Sequence, residues 1–322
     1  MQKTLDAIKG ELFGRFEVRK TVRQKAAFAS WACDYAQELG YSAQIEKSGK
    51  WFDTRNIVIG DLSKARVLIT AHYDTCAWLP FGNAYTPECW PIILFTQLIL
   101  PMAVFMSLGY GAGRVMRLLE LSGIFAALGA AALCVIGGGL ILYLMLFGPA
   151  NPHTANDNTS GVAFVLLAMN LFKDREDIAF VLFDNEEIGL LGSSAFVKAH
   201  TVLARRAFVL NFDCISDGDM LMLVGSKRAN ASLQGRRLQK ALEEIAPIYG
   251  KRFKTGEALK AFYPSDQLLF PRGAAFAALK GKKVLYMDRI HSAKDTVFED
   301  DNILCLLKVA QEALTQERRK NA

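Results

Sequence analysis

DIAFVLFDNEEIGLLG, residues Asp177 to Gly192, is the stretch on which the reading of this chain turns. Ile178 to Phe183 is a short apolar run rich in β-branched and aromatic residues, the pattern of a strand buried on both faces. It stops abruptly at Asp184-Asn185-Glu186-Glu187, and Gly189 and Gly192 then turn the chain towards a helix. Adjacent carboxylates at the end of a buried strand are costly unless something compensates their charge. In open α/β sheets the carboxyl ends of the strands are where ligands and reacting groups collect. The plain alternative is an acidic strand-to-helix loop with no chemistry, so the rest of the chain has to decide.

With 322 residues and 52% hydrophobic content, the chain can bury one sizeable α/β core and have material left over. The mean hydropathy is slightly positive, which points to apolar residues concentrated in one place. A formal net charge of +6 spread along the chain gives no basis for nucleic-acid binding, though it allows weak attraction to anionic lipid. The six cysteines (Cys33, Cys76, Cys89, Cys134, Cys214, Cys305) form no CxxC pair and read as free thiols of a reducing compartment. The N-terminal stretch is polar and charged, without the apolar centre of a secretory signal.

In chain order, helices are expected at Met1 to Phe13 and Thr21 to Leu39, and strands at Ser42 to Glu46 and Asn56 to Gly60. ARVLITA, Ala65 to Ala71, is a buried strand running into His72-Tyr73-Asp74-Thr75. Residues two apart on a strand share a face, so His72 could bind a cation while Asp74 holds its other nitrogen. A satisfied core histidine is the alternative. A helix starts near Thr159, which sets Asp157 beside a helix N-terminus, as an electrostatically favoured anion or simply a cap. After the acidic strand come a helix near Ser194 to Ala199 and a strand at Arg206 to Phe212 that ends in Asp213. Further strands are expected at Met220 to Val224, Ala274 to Ala278 and Val284 to Met287, the last leading to His291. Helices at Ser232 to Ile248 and Asp300 to Glu317 complete the series.

One region does not fit a soluble α/β domain. Pro91 to Tyr110 and Leu121 to Phe147 carry no charge, and GYGAGRVMRLLE lies between them with Arg114, Arg117 and Glu120. At ~1.5 Å per residue each run can cross a hydrocarbon core of ~30 Å. Small residues at four-residue spacing (Gly123 and Ala127, Ala126 and Ala130) suit close helix contact in lipid. A buried or dimer-forming helical pair is the alternative.

Five polar positions thus stand at strand ends or helix starts on one expected sheet edge: His72, Asp157, Glu186/Glu187, Asp213 and His291. Two histidines with carboxylates and no cysteine make a nitrogen/oxygen set suited to Zn²⁺, Co²⁺ or Mn²⁺. The set divides into two His-plus-carboxylate halves with one aspartate to bridge them, the arithmetic of a two-metal hydrolytic centre with ions ~3.5–4 Å apart. One glutamate of the pair is left over as general base.

The wording of these segments resembles the M28 family of co-catalytic metallopeptidases of the aminopeptidase type. The resemblance rests on HYDT at His72, ANDNTSG at Ala155, EEIGLLGS at Glu186, NFD ending at Asp213, SDQ at Ser265 and IHSAKDT at Ile290, and covers about Ala65 to Thr296. It implies a zinc-exopeptidase-like α/β fold, with a mixed, mostly parallel central sheet flanked by helices. By the same resemblance, His72 and Asp213 bind one ion, Glu187 and His291 the other, and Asp157 bridges them. Glu186 matches the proton-shuttling glutamate and Asp74 the carboxylate orienting the first histidine; family members stabilise an oxyanion with a tyrosine near the Ser-Asp segment, the neighbourhood in which Tyr263 lies. Two divalent ions, Zn²⁺ first among them, are the implied cofactors. Gln267 departs from the family pattern, and so does the apolar insertion.

The expectation is therefore one metallopeptidase domain, residues 1–78 and 149–322, interrupted by a membrane hairpin at 79–148 with helices at about 91–110 and 118–147. The implied reaction is removal of N-terminal residues from peptides with a free N-terminus, at a bilayer surface. A glutaminyl-cyclase-like enzyme and an inactive membrane scaffold or receptor are the alternatives. Arg114 and Arg117 in the hairpin turn argue for a cytoplasmic turn. The free thiols and the polar N-terminus argue instead for a cytoplasmic catalytic domain, which is the side favoured.

Overall fold

A computed structural model describes residues 1–49, 52–79, 84–257 and 261–315. Its centre is an eight-stranded sheet in the order β1-β2-β4-β3-β5-β8-β6-β7. The strands are β1 Ala43–Ser48, β2 Thr54–Ile59, β3 Val67–His72, β4 Ile178–Phe183, β5 Phe208–Phe212, β6 Met220–Gly225, β7 Arg252–Glu257 and β8 Gly273–Leu279. Four of the seven pairings are parallel, and β4, β3, β5 and β8 form a continuous parallel centre. Every residue of β3, β4, β5 and β8 is buried, which explains why their sequences are apolar runs and do not alternate.

The helices outside the insertion are α1 Gln2–Arg15 and α2 Val22–Glu38, then, beyond three that belong to it, α6 Ser160–Leu171, α7 Leu191–Ala199, α8 Thr201–Arg206, α9 Lys227–Ala231, α10 Leu233–Ile245 and α11 Asp300–Thr315. Thr21 and Gln24 close a reciprocal capping box at the start of α2. One face of the sheet packs on α1, α2, α6, α10 and α11, the other on α7 and α8. The connections leaving β3 and β4 therefore run to opposite faces, and a crevice opens at their carboxyl ends. Helix α6 is buried from Ser160 to Met169 and lies directly on the sheet. Gly161 permits this approach, because a Cβ there would stand 2.2 Å from the Phe212 carbonyl oxygen.

The insertion begins with α3 Trp90–Leu94, a π-helical turn Phe95–Ile99 and α4 Leu100–Leu118, and returns along α5 Gly123–Phe147. The two long helices pack against each other, with Ala112, Met116 and Cys134 buried between them and Gly129 against the Met116 sulfur. Ala126 and Ala130 are partly covered, whereas Gly123 and Ala127 point outwards. The hairpin otherwise exposes its apolar side chains, among them Met102, Met106, Phe125, Leu128, Val135 and Ile136. Among the described residues one helix, α5, is long and apolar enough to cross a membrane.

Several expectations are corrected. The first hairpin helix continues to Leu118, so Arg114 and Arg117 lie on α4 and not in the turn. Gly111 and Gly113 do not break it. The reversal comes instead at Glu120 and Gly123, both in the left-handed region. Val284 to Met287 is no strand: it makes only isolated bridges, Lys280 to Tyr286 and Tyr85 to Met287. Helix α8 and strand β7 are additional elements, β7 being a polar edge strand with no apolar run to reveal it. The last helix is described to Thr315; Gln316 and Glu317 lie outside the described residues.

Candidate metal centre

The parallel strands deliver their ends to one place. His72 is the last residue of β3, in register with Phe183 at the end of β4, so the Glu186-Glu187 pair enters from the neighbouring strand. Asp213 follows β5 on the other side of β3. Asp157 comes from a kinked turn, Ala155–Thr159, in which Asp157 (φ −111°, ψ 94°) leaves helical geometry just before α6. His291 does not sit at a strand end. It lies in a loop, in the left-handed region, and reaches the group from the side.

All five residues expected to hold metal meet here. His72 Nε2 lies 3.4 Å from Asp157 Oδ1 and 3.4 Å from Asp213 Oδ1. His291 Nε2 lies 3.1 Å from Asp157 Oδ2 and 3.3 Å from Glu187 Oε2. Asp157 thus presents one oxygen to each histidine. Glu186 and Glu187 also come within mutual ligand range of His72. Glu187 Oε1 and Asp213 Oδ1 are buried without a hydrogen-bond partner, as expected of oxygens meant for a cation. The donors are nitrogen and oxygen, the chemistry Zn²⁺ accepts. By donor type and orphaned atoms, the residues fit two divalent ions.

Asp74 stands beside His72 and has a second contact as well. Its carboxylate accepts the backbone N–H groups of Glu186 (3.0 Å) and Glu187 (3.2 Å), fixing the acidic turn. His72 Nδ1 is nearer the Asp74 carbonyl oxygen, at 3.2 Å, than its carboxylate, at 3.6 Å. Tyr263 stands in the cleft wall, but its hydroxyl donates to the Asp213 carbonyl at 3.0 Å. The cleft holds about 580 Å³, with Tyr85, Leu146, Ile188, Phe262, Met287 and Ile290 among its apolar walls.

Sequence reasoning missed the supports. Asn158 donates to the carbonyls of Phe212 (3.0 Å) and His72 (3.4 Å) and accepts from Gly161 and Cys214. Asn156 accepts the N–H groups of Ser216 and Asp217. Asp295 is buried and accepts the N–H groups of Asn156 (2.8 Å) and Asp157 (2.9 Å). All three lie inside the motifs ANDNTSG and IHSAKDT, so the signal was present without a role attached. Arg19 had no signal: fully buried, it donates to the Tyr73 and Phe16 carbonyls and to the Thr159 hydroxyl. Lys25 forms a buried ion pair with Asp184 at 2.7 Å.

Burial, compounded by the crowding of acids, governs the electrostatics. Burial raises Glu187 from 4.5 to about 8, aided by the charges of Asp157 and Asp74 and opposed by the histidines. Glu186 rises well above its ordinary value through burial, with Glu187, Asp213 and Asp266 adding to the shift. Asp266, fully buried with both oxygens unpartnered, rises to about 7 through burial, as does Asp295. For His291, burial acts downwards but the Glu187 and Asp157 charges prevail and lift it to about 9. His72 is likewise raised, Glu186 and the surrounding aspartates outweighing its burial. Asp157 goes the other way: the two histidines overcome its burial and hold it below the usual carboxylate range.

The class defined by this fold and site is an α/β metallohydrolase with a double acid-histidine centre at the carboxyl edge of its sheet. Residues 144–304, half of the chain, match Peptidase family M28, and the chain belongs to that family. His72 and Asp74 lie outside the matched residues, on the far side of the hairpin. The fold is that of glutaminyl cyclase from Porphyromonas gingivalis (16% identity, 100% of this chain and 98% of that one, TM-score 0.59). It is equally that of a Zn-dependent exopeptidase from Parabacteroides distasonis ATCC 8503 (15%, 98% and 96%, 0.59). A leucine aminopeptidase precursor from Bacteroides thetaiotaomicron VPI-5482 gives the same values (15%, 98% and 96%, 0.59). No curated protein sequence matches the chain.

The raised groups set a pH dependence for the metal-free protein. Each keeps its proton in the folded chain at a pH where the unfolded chain has released it. Stability therefore falls as pH climbs from the ordinary value to the folded one: 3.8 to about 7 for Asp266 and Asp295, 4.5 to about 8 for Glu187, 6.5 to about 9 for His291. Thermal melts in chelator should show Tm dropping between pH 6 and 9, and Zn²⁺ should restore it most at the alkaline end. A chelated protein whose Tm rises over that interval contradicts this account.

Proposed function

We propose that this chain is a membrane-anchored, metal-dependent aminopeptidase acting on peptides with a free N-terminus. The observation that carries the reading is the pair of donor groups sharing Asp157, with Glu186 standing beside them. His72, Asp157 and Asp213 would hold one ion, and Asp157, Glu187 and His291 the other. Two divalent ions, Zn²⁺ by the donor set, would supply a water of lowered pKa and a polarised scissile carbonyl.

The chain's own residues do the rest. Glu186 takes the proton of the attacking water and returns it to the leaving amine, a role its place in the cleft beside the donor groups suits. Asp74 keeps Glu186 and Glu187 in place through their backbone N–H groups. Tyr263 is the candidate donor to the developing oxyanion, for which its hydroxyl must exchange the Asp213 carbonyl for the substrate. The apolar walls of the cleft suit an apolar first side chain, and they exclude water from the reacting groups.

The hairpin is the proposed anchor. Helix α5, at ~1.5 Å per residue, is long enough for the ~30 Å hydrocarbon core. We assign α4 to the same bilayer because it packs along α5 and exposes the same kind of side chain. Leu146, near the end of α5, lines the cleft, so peptide would be cut close to the lipid surface. The catalytic domain is proposed to face the cytoplasm, in keeping with its unpaired thiols.

A glutaminyl-cyclase-like activity is the second reading, favoured by the shared fold of such an enzyme. Cyclisation uses the substrate's own amine as nucleophile and needs no activated water, so one ion to polarise the carbonyl suffices. Hydrolysis by the present reading requires both.

Glu186→Gln should lower hydrolysis of aminoacyl-nitroanilides by about 10²–10⁴-fold with metal content unchanged; activity surviving within about tenfold removes Glu186 from the role. Metal analysis of active protein should give two ions per chain, whereas full activity with one ion would favour the cyclase. In membrane fractions the protein should stay in the pellet through an alkaline carbonate wash, and its release to the supernatant would rule out the anchor.

A further inference from the structure

The two halves of the centre are not alike. His72, Asp157 and Asp213 form a group of three donors, whereas Asp157, Glu187 and His291 are joined by a fourth, the Cys76 sulfur. One ligand atom from each of these four residues lies within 4.8 Å of the others. Around a zinc ion with bonds of ~2.0–2.3 Å, tetrahedral donors stand roughly 3.3–3.8 Å apart, so the group needs only a small contraction to close.

Cys76 is placed there by the hairpin. Its carbonyl accepts the Asn151 N–H at 3.2 Å, and Ala77 bridges to Ala150, so the outgoing and returning stems pair beside the centre. Trp78 donates to the Pro149 carbonyl and Leu79 to that of His291, which ties the same stem to the second histidine's loop. Cys76 is 1% exposed. Cys214, equally buried next to Asp213, belongs to no such donor group among the described residues.

We infer that Cys76 is a protein ligand of the ion held by Glu187 and His291, making that half a nitrogen/oxygen/sulfur site and leaving the His72 half purely nitrogen and oxygen. The inference rests on the two-ion reading above. On coordination the S–H bond breaks, its proton leaves for solvent through the cleft, and a sulfur–metal bond forms with no change of oxidation state. With the sulfur, the Glu187 half would offer four protein donors where His72, Asp157 and Asp213 offer three, so the two ions would differ in donor set. The sulfur also favours soft ions in its own half, Zn²⁺ or Cd²⁺ over Mn²⁺.

Cobalt substitution of the detergent-solubilised full chain tests this without any activity measurement. With two Co²⁺ bound per chain, a thiolate-to-cobalt charge-transfer band should appear in the near ultraviolet. Cys76→Ser should abolish the band and weaken one of the two Co²⁺ sites by about tenfold or more, and Cys214→Ser should leave both unchanged. Two bound Co²⁺ without the band, or a band that survives Cys76→Ser, overturns the sulfur ligand while leaving the two-ion centre intact. Failure to bind Co²⁺ at all overturns the centre itself, and the sulfur ligand with it.

Discussion

The side-chain amide of Asn158 joins the ends of β3 and β5 to the start of α6. Its Nδ2 serves the carbonyls of His72 and Phe212, and its Oδ1 takes the N–H groups of Gly161 and Cys214. Buried backbone groups at strand ends must find partners, and here one amide satisfies four of them. It thereby sets the distances among His72, Asp157 and Asp213, which leave three different segments of the chain. The absence of a side chain at Gly161 belongs to the same constraint, since any Cβ would push α6 off the Phe212 carbonyl.

Around this joint the fold gathers more negative charge than an apolar core tolerates. Two cations offset part of it from behind: Lys25 against Asp184 and Arg19 beneath the Tyr73 backbone. Arg19 is buried deeply enough that its pKa falls to about 10, the cost of desolvation exceeding the help from Asp74, Glu17 and Asp157. Neither cation faces the orphaned oxygens of Glu187 and Asp213. Such oxygens call for ions from solution, and in their absence burial raises Glu187 to about 8. The strained positions tell the same story. Asn185, Leu190, Cys214 and His291 are held in the left-handed region around the cleft, where side chains are aimed at the expense of backbone comfort.

The hairpin is joined to this centre, not merely attached to the domain. Lys20 donates to the Leu146 carbonyl at the end of α5, and Phe52 stacks on Phe147 with ring centroids 5.8 Å apart. The stems pair at Cys76 and Asn151, and Asn151 in turn donates to the Ser292 carbonyl next to His291. Displacement of the hairpin root would therefore reach the second histidine through a few hydrogen bonds.

Much of this was legible in the sequence because burial and chemistry leave local marks. The doubly buried strands β3, β4 and β5 had to be apolar runs, and the breaks in those runs at His72, Glu186-Glu187 and Asp213 located the polar edge. The charge-free length of α5 marked the hairpin. What no local pattern carries is which side chains meet. Asp295 reads as one more loop aspartate until the fold sets it under the Asn156 and Asp157 amides. His291 was assigned to a strand end because Val284 to Met287 has a strand's composition, yet its place depends on bridges to Tyr85 and Lys280 that the chain makes only when folded. Cys76 was counted among six scattered thiols and excluded from the donor set. Only the pairing of the hairpin stems, between segments separated by the entire insertion, brings its sulfur to Glu187 and His291.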